Sequence, residues 1–253
     1  MQERSCRPFW LWVNLLSLDA PLVALVWQDF LERCYPSGLR TGARYGLALT
    51  VWAIYLADRL IDVRHPAVGE ESIRHRFYRQ YSGFAKVLLA VVLCADLWTA
   101  VVWLRPAILR NGLVTTAAVT MYFTLFVFRS KGKPWKQASA ALLFTAGVFL
   151  VAWTRTPRPW QILGVPAVVF CALCLGNLVL LDRWDRGVTT ARGWIWITAL
   201  SVLCAWLGHS RWYAAAAASG FGLALLDFRG ELFSENARRV LADAVLLTPL
   251  LWR

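Results

Sequence analysis

The 253-residue chain lacks every short motif that would place it in a common soluble enzyme class. It has no Gly-rich phosphate loop, so nucleotide chemistry based on backbone amides cradling phosphates is excluded. It has no His-Glu-x-x-His and no nucleophile elbow, which removes zinc proteases and Ser hydrolases of those two kinds. Six Cys are present, but they form no framework. Cys94, Cys171, Cys174 and Cys204 fall inside apolar segments. Cys171-x-x-Cys174 has no second Cys or His pair near it, and packed thiols are the simpler reading. No cleavable leader is evident either. The first apolar run is long, contains Asp19 and Pro21, and lacks a small-residue cleavage site, so an uncleaved helix is expected. Acidic residues are scarce, 15 against 27 Lys and Arg, for a formal net charge of +12. The basic residues stand between apolar segments. Membrane topology and anionic lipid therefore account for them, and no nucleic-acid partner is expected.

Apolar sequence is what the chain has in excess. Hydrophobic residues make up 58% of it, with a mean hydropathy of +0.50. A spanning helix needs about 20 apolar residues, so a chain of this length holds roughly nine helices and short connections. The expected spans are 9–31, 42–61, 83–104, 107–128, 137–153, 160–181, 193–209, 211–228 and 239–252. Many of the 15 Trp flank these runs where an interfacial belt would lie, among them Trp10, Trp12, Trp103, Trp153, Trp160, Trp194, Trp212 and Trp252. Counted by alternate sides, the connections on the N-terminal side carry twice the Lys and Arg of the other. That bias puts the N-terminus in the cytoplasm and the C-terminus outside. The expected architecture is all-α: a single integral membrane domain over 1–253, with helices around a central cavity.

Two acidic stretches close apolar runs. Tyr55-Leu56-Ala57-Asp58-Arg59-Leu60-Ile61-Asp62 ends the second span, and Leu180-Leu181-Asp182-Arg183-Trp184-Asp185 ends the sixth. Carboxylates four apart on a helix share one face, with Cβ atoms roughly 6 Å apart. Such a pair suits Mg²⁺, which takes one or two carboxylates and completes its shell with substrate phosphate oxygens. Both stretches fall on the same side of the expected topology. Their separation by four helices suggests a duplicated four-helix unit followed by a ninth helix.

Basic groups follow each region. After Asp62, Gly69-Glu70-Glu71-Ser72 opens a short helix on which Ile73, Phe77, Tyr81 and Phe84 share one side. His75, Arg76 and Arg79 share the other. This helix either lies at the interface with its basic side solvated or caps the acidic site with guanidinium groups. The loop Phe128-Arg129-Ser130-Lys131-Gly132-Lys133-Pro134-Trp135-Lys136 is basic and on the same side; it is either a topology signal or a second set of phosphate-binding cations. Asp19 and Asp96 sit deep in apolar segments, where ionisable groups usually face a cavity or a partner. Asp243 follows Arg239 by four residues, and a local ion pair is expected there.

Taken together, these features resemble the UbiA superfamily of intramembrane prenyltransferases along essentially the whole chain. The family's first motif is Asn-Asp-x-x-Asp-x-x-x-Asp. Asp58 and Asp62 match its last two acids, while Ile54 and Tyr55 stand at the Asn and first Asp. Its second motif is approximately Tyr-x-x-x-Lys-Asp-x-x-Asp-x-x-Gly-Asp. Asp182 and Asp185 match its first two acids, with Asn177, Leu181, Val188 and Thr189 replacing the Tyr, Lys, Gly and last Asp. The resemblance implies a Mg²⁺-dependent enzyme of a bacterial-type plasma membrane. Asp58, Asp62, Asp182 and Asp185 would be the catalytic and metal-binding acids. Tyr55, Arg59, Arg76, Arg79, Lys131, Asn177 and Arg183 would bind an isoprenyl diphosphate. The implied reaction moves the prenyl group to an aromatic or lipid-like acceptor. A terpene cyclase on the same fold and a non-enzymatic lipid or ion carrier are the two other readings.

Overall fold

The computed structural model describes residues 9–63, 73–127, 134–185, 196, 199–200, 202–204, 206 and 210–252. Among them every regular element is a helix. Lys131 with the loop around it, the stretch Gly69-Glu70-Glu71-Ser72, the His75 side chain and most of the expected span 193–209 lie outside the described residues. In order the helices are α1 Phe9–Leu15, α2 Asp19–Cys34, α3 Thr41–Asp62, α4 Ile73–Gln80, α5 Ser82–Trp103 and α6 Pro106–Tyr122. There follow α7 Pro134–Arg155, α8 Pro159–Asp185, α9 Arg211–Phe228 and α10 Glu235–Val245. A wider helical turn, Phe123–Val127, extends α6, and a short tight helix, Thr248–Trp252, follows α10.

Two expected spans are interrupted. The first, 9–31, divides into α1 and α2 at Ser17, whose φ of 55° is left-handed. Asp19 explains the restart. Its carboxylate accepts the Asn14 amide at 2.7 Å and the Ala20 backbone amide at 3.0 Å, in the first turn where the helix dipole favours an anion. Pro21 follows in that turn, where a missing N–H leaves no helix bond unmade. The last, 239–252, becomes α10 and the separate turn Thr248–Trp252, which contains Pro249. The 11 residues of α10 rise only about 17 Å, too little to cross a hydrocarbon core as one helix.

Among the described residues, three helices are long and apolar enough to cross a membrane: Ser82–Trp103, Trp135–Arg155 and Pro159–Asp185. α5 shows what such a helix needs around it. It buries only a narrow seam, Ala85, Val92 and Thr99, one residue every two turns. Val87, Val91, Leu97, Trp98 and Val101 point outward and are exposed. In water this stripe would be an aggregation liability, whereas against acyl chains it is the ordinary lipid-facing side. α3 has the same 22 residues but carries Arg44 near its start and Asp58, Arg59 and Asp62 in its last two turns.

Contacts between helices fix their directions. Arg44 near the start of α3 donates to Asp29 near the end of α2 at 2.6 Å, and Trp52 Nε1 donates to the Leu16 carbonyl at 2.9 Å, so α2 and α3 run antiparallel. α5 lies antiparallel on α3, with Thr50 donating to Asp96 at 2.8 Å. Gly42 permits the closest approach there, because a Cβ on it would stand 2.6 Å from Trp103 Cβ and 3.0 Å from the Trp103 carbonyl oxygen. The largest core cluster joins α2, α7, α8 and α9 through Trp27, Phe149, Phe170 and Trp212. Trp27 stands 4.9 Å from Phe170 and 5.0 Å from Trp212 between ring centroids. Its indole N–H, which must be satisfied in such a core, donates to the Leu246 carbonyl at 2.8 Å.

Candidate functional site

The bundle therefore has two poles. At one pole α2 begins and α3 ends. α8 and α9 run parallel to that same pole, since Trp212 packs on Phe170 while Asp227 further along α9 accepts Trp184 Nε1 at 3.1 Å. α10 starts there and runs the other way, with Arg239 on Asp185 and Asp243 beside Asn177. Both acidic stretches thus end at one pole, with the three long helices α5, α6 and α7 between them in the chain.

On α3, the Arg59 guanidinium stands between Asp58 and Asp62, with one nitrogen 3.8 Å from an oxygen of each. All three side chains are about a quarter exposed. The contacts are long, and Arg59 Nε is buried without a hydrogen-bond partner. Arg59 is thus a loosely held cation lying where the two carboxylates can also receive another one. Tyr55 is one turn deeper. Asp19 and Asp243 act electrostatically on its hydroxyl from α2 and α10, alongside Arg59 and Asp58. Asp243 in turn accepts Asn177 Nδ2 at 3.4 Å. Asn177 is 6% exposed and its Oδ1 makes no hydrogen bond, an acceptor held in reserve at this level. Tyr55 and Asn177, named from sequence, therefore belong to one polar layer beneath the acidic pole, and Asp19 and Asp243 belong with them. Tyr122 at the end of α6 is a further member, within electrostatic reach of Asp58 and Asp62. Nothing in its sequence context marks it.

The α8 acids are engaged differently. Asp185, 45% exposed, meets Arg239, whose side chain is 10% exposed. Arg239 has the longer-range partner Asp185, and Asp243 accepts the Asn177 amide. Arg183, expected to face substrate, points to Asp227 at 3.4 Å, and Asp227 is 5% exposed. Together with the Trp184 indole this makes a clasp between α8 and α9. Asp182 lies one turn beyond Asn177 on α8, half-buried.

The helix after the first motif docks through Phe77 and Tyr78, both buried, with the Tyr78 hydroxyl 3.0 Å from Ser17 Oγ. Tyr81 and Phe84, expected on the same side as Phe77, are exposed. Arg76 and Arg79 are exposed as well. Phe77 and Tyr78 share an apolar cluster with Leu56 and Leu60 of α3 and with Val63 just past its end. At about 100° per residue that side of α3 lies about 130° around the helix from Asp62 and about 170° from Asp58. α4 thus packs on a side of α3 nearly opposite the one that carries the acids.

Among the described residues, no three His, Cys, Asp or Glu side chains converge closely enough to hold a metal ion by themselves. The Asp58–Asp62 pair flanking one guanidinium nitrogen does fit Mg²⁺ in its other mode, in which carboxylates supply one or two ligands and substrate oxygens the rest. No protein-family model, curated protein or solved structure matches the chain.

Proposed function

We propose that the chain is an intramembrane enzyme that ionises an isoprenyl diphosphate and transfers the prenyl group to an aromatic or lipid-like acceptor. Nine membrane crossings, as two four-helix units and a ninth segment around a cavity, belong to the same proposal. The observation that carries it is that α3, which bears Asp58 and Asp62, and α8, which bears Asp182 and Asp185, end at the same pole of an apolar bundle. A charged head and a greasy chain on one substrate suit that division.

Asp58, Asp62, Asp182 and Asp185 would hold Mg²⁺, which when bound supplies positive charge to the leaving diphosphate. Arg59, loosely held between its two carboxylates, is free to turn a guanidinium edge toward phosphate oxygens, the strong charge-assisted kind of bond. The allylic carbon–oxygen bond breaks with its electron pair leaving on the diphosphate. The apolar walls keep water from the cation until a bond forms to the acceptor. The proton that the acceptor releases goes to a carboxylate, and Asp19 and Asp243 stand one layer deeper for that purpose.

The test is incubation of the purified chain with Mg²⁺ and allylic diphosphates of increasing length, with and without an aromatic acceptor. Diphosphate release that needs the acceptor is expected. Release without it, accompanied by a cyclic hydrocarbon, selects the cyclase. No release with any substrate overturns the enzyme and leaves the carrier.

A further inference from the structure

The opposite pole carries a cleft of about 300 Å³ where the end of α2, the start of α9 and the last residues of the chain meet. Arg33 closes the last turn of α2 and Arg211 opens α9, and both line this cleft. Each is exposed, and neither has an ion pair among the described residues. Both lie close enough to the Cys34 sulfur to act on it electrostatically, so they face the same space.

Among the described residues no carboxylate lines the cleft. The two nearest in sequence are turned elsewhere. Asp29 takes the Arg44 guanidinium at 2.6 Å. Glu32 takes the Ser37 hydroxyl and the Ser37 and Gly38 backbone amides. Among the described residues the positive charge of the two arginines is thus uncompensated. Ser210 also lines the cleft, with its Oγ buried beside the Tyr35 hydroxyl. Tyr35 and Trp252 form aromatic walls.

We propose that this cleft binds a phosphate group. Two guanidinium groups offer paired donors whose fork matches phosphate oxygens. The Ser210 hydroxyl supplies a further donor, and the first turn of α9 adds the positive end of a helix. The volume accommodates a phosphate and the atoms next to it, not an acyl chain. Trp and Tyr at the end of an apolar bundle mark the level where lipid headgroups lie. The phosphate comes either from a lipid headgroup or from a soluble phosphate compound. α2 rises about 21 Å between Asp19 and Arg33, so the site is separate from the acidic pole.

The test uses the full chain in neutral detergent and follows alkylation of Cys34 by peptide mass spectrometry, with lipid binding by native mass spectrometry. Phosphatidylglycerol, phosphatidylcholine and inorganic phosphate are titrated separately. We expect phosphatidylglycerol to bind the wild type at least tenfold more tightly than phosphatidylcholine and to slow Cys34 alkylation. The double variant Arg33→Gln/Arg211→Gln should lose at least tenfold in binding. The charge-matched variant Arg40→Gln/Arg155→Gln, at the same pole but outside the cleft, should behave as wild type. Protection by inorganic phosphate equal to that by phosphatidylglycerol would identify a soluble ligand as the source. The proposal is overturned if neither ligand protects Cys34 in the wild type, or if both double variants lose binding equally.

Discussion

The Arg239 guanidinium on α10 meets the Asp185 carboxylate on α8 across 54 residues of chain. The arginine is almost fully enclosed and the carboxylate is nearly half exposed. The contact ties the segment after α9 back to the end of the second acidic stretch. It also means that a cation approaching Asp185 competes with one already there.

Asp185→Asn should therefore cost stability as well as any ligand role. Removing the partner of an enclosed guanidinium is expensive, but the open side of this pair is screened, so the loss should be about 1–2 kcal/mol. Thermal unfolding in detergent measures it. An unchanged midpoint would show that Asp185 serves ligand binding alone.

Gly42→Ala should destabilise the α3–α5 contact. The added methyl would meet Trp103 Cβ and its carbonyl oxygen, neither of which can swing aside. Overpacking of this kind costs about 1–3 kcal/mol. The double variant Gly42→Ala/Trp103→Ala should remain destabilised, since the Trp103 Cβ and carbonyl persist, and unfolding midpoints of both variants check this.

The limits of three helices were legible because long, mainly apolar runs set them: 42–61, 83–104 and 211–228 differ from α3, α5 and α9 by a residue at most at either end. The break at Ser17 was not legible. It depends on the Asn14–Asp19 hydrogen bond and on Tyr78 reaching Ser17 from α4. The grouping of Asp58, Arg59 and Asp62 follows from helix periodicity alone, so the sequence displays it. Asp227 and Arg239 could not be found that way. Their partners Arg183 and Asp185 lie 44 and 54 residues away, and no local spacing encodes such pairs. Tyr78 was missed for another reason: the packed side of α4 is Phe77 and Tyr78, adjacent residues that a stripe at every fourth position separates.

Glu32 gives a pH dependence outside the spanning segments. Burial raises its carboxyl pKa, but hydrogen bonds from the Ser37 side chain and from the backbone amides of Ser37, Leu39 and Gly38 outweigh this and hold it below the ordinary 4.5. A lowered folded value stabilises the fold above 4.5 and loses that contribution as pH falls through the folded value. Glu32→Gln should thus lower the unfolding midpoint at neutral pH, with the gap from wild type closing in acid. A gap that stays constant from neutral to acid pH would show that the carboxylate charge contributes nothing.

The most direct measurement of the central claim is diphosphate release from an allylic diphosphate by wild type, Asp58→Asn and Asp96→Asn, each with and without a Mg²⁺ chelator. Asp58 belongs to the pair around Arg59, whereas Asp96 is bonded to Thr50 in the α3–α5 seam. Loss of roughly 3–4 kcal/mol of transition-state stabilisation would lower the Asp58→Asn rate by two to three powers of ten. The account predicts that drop, a much smaller effect for Asp96→Asn, and no turnover once Mg²⁺ is chelated. Wild-type release that survives chelation, or Asp58→Asn release equal to wild type, would contradict it.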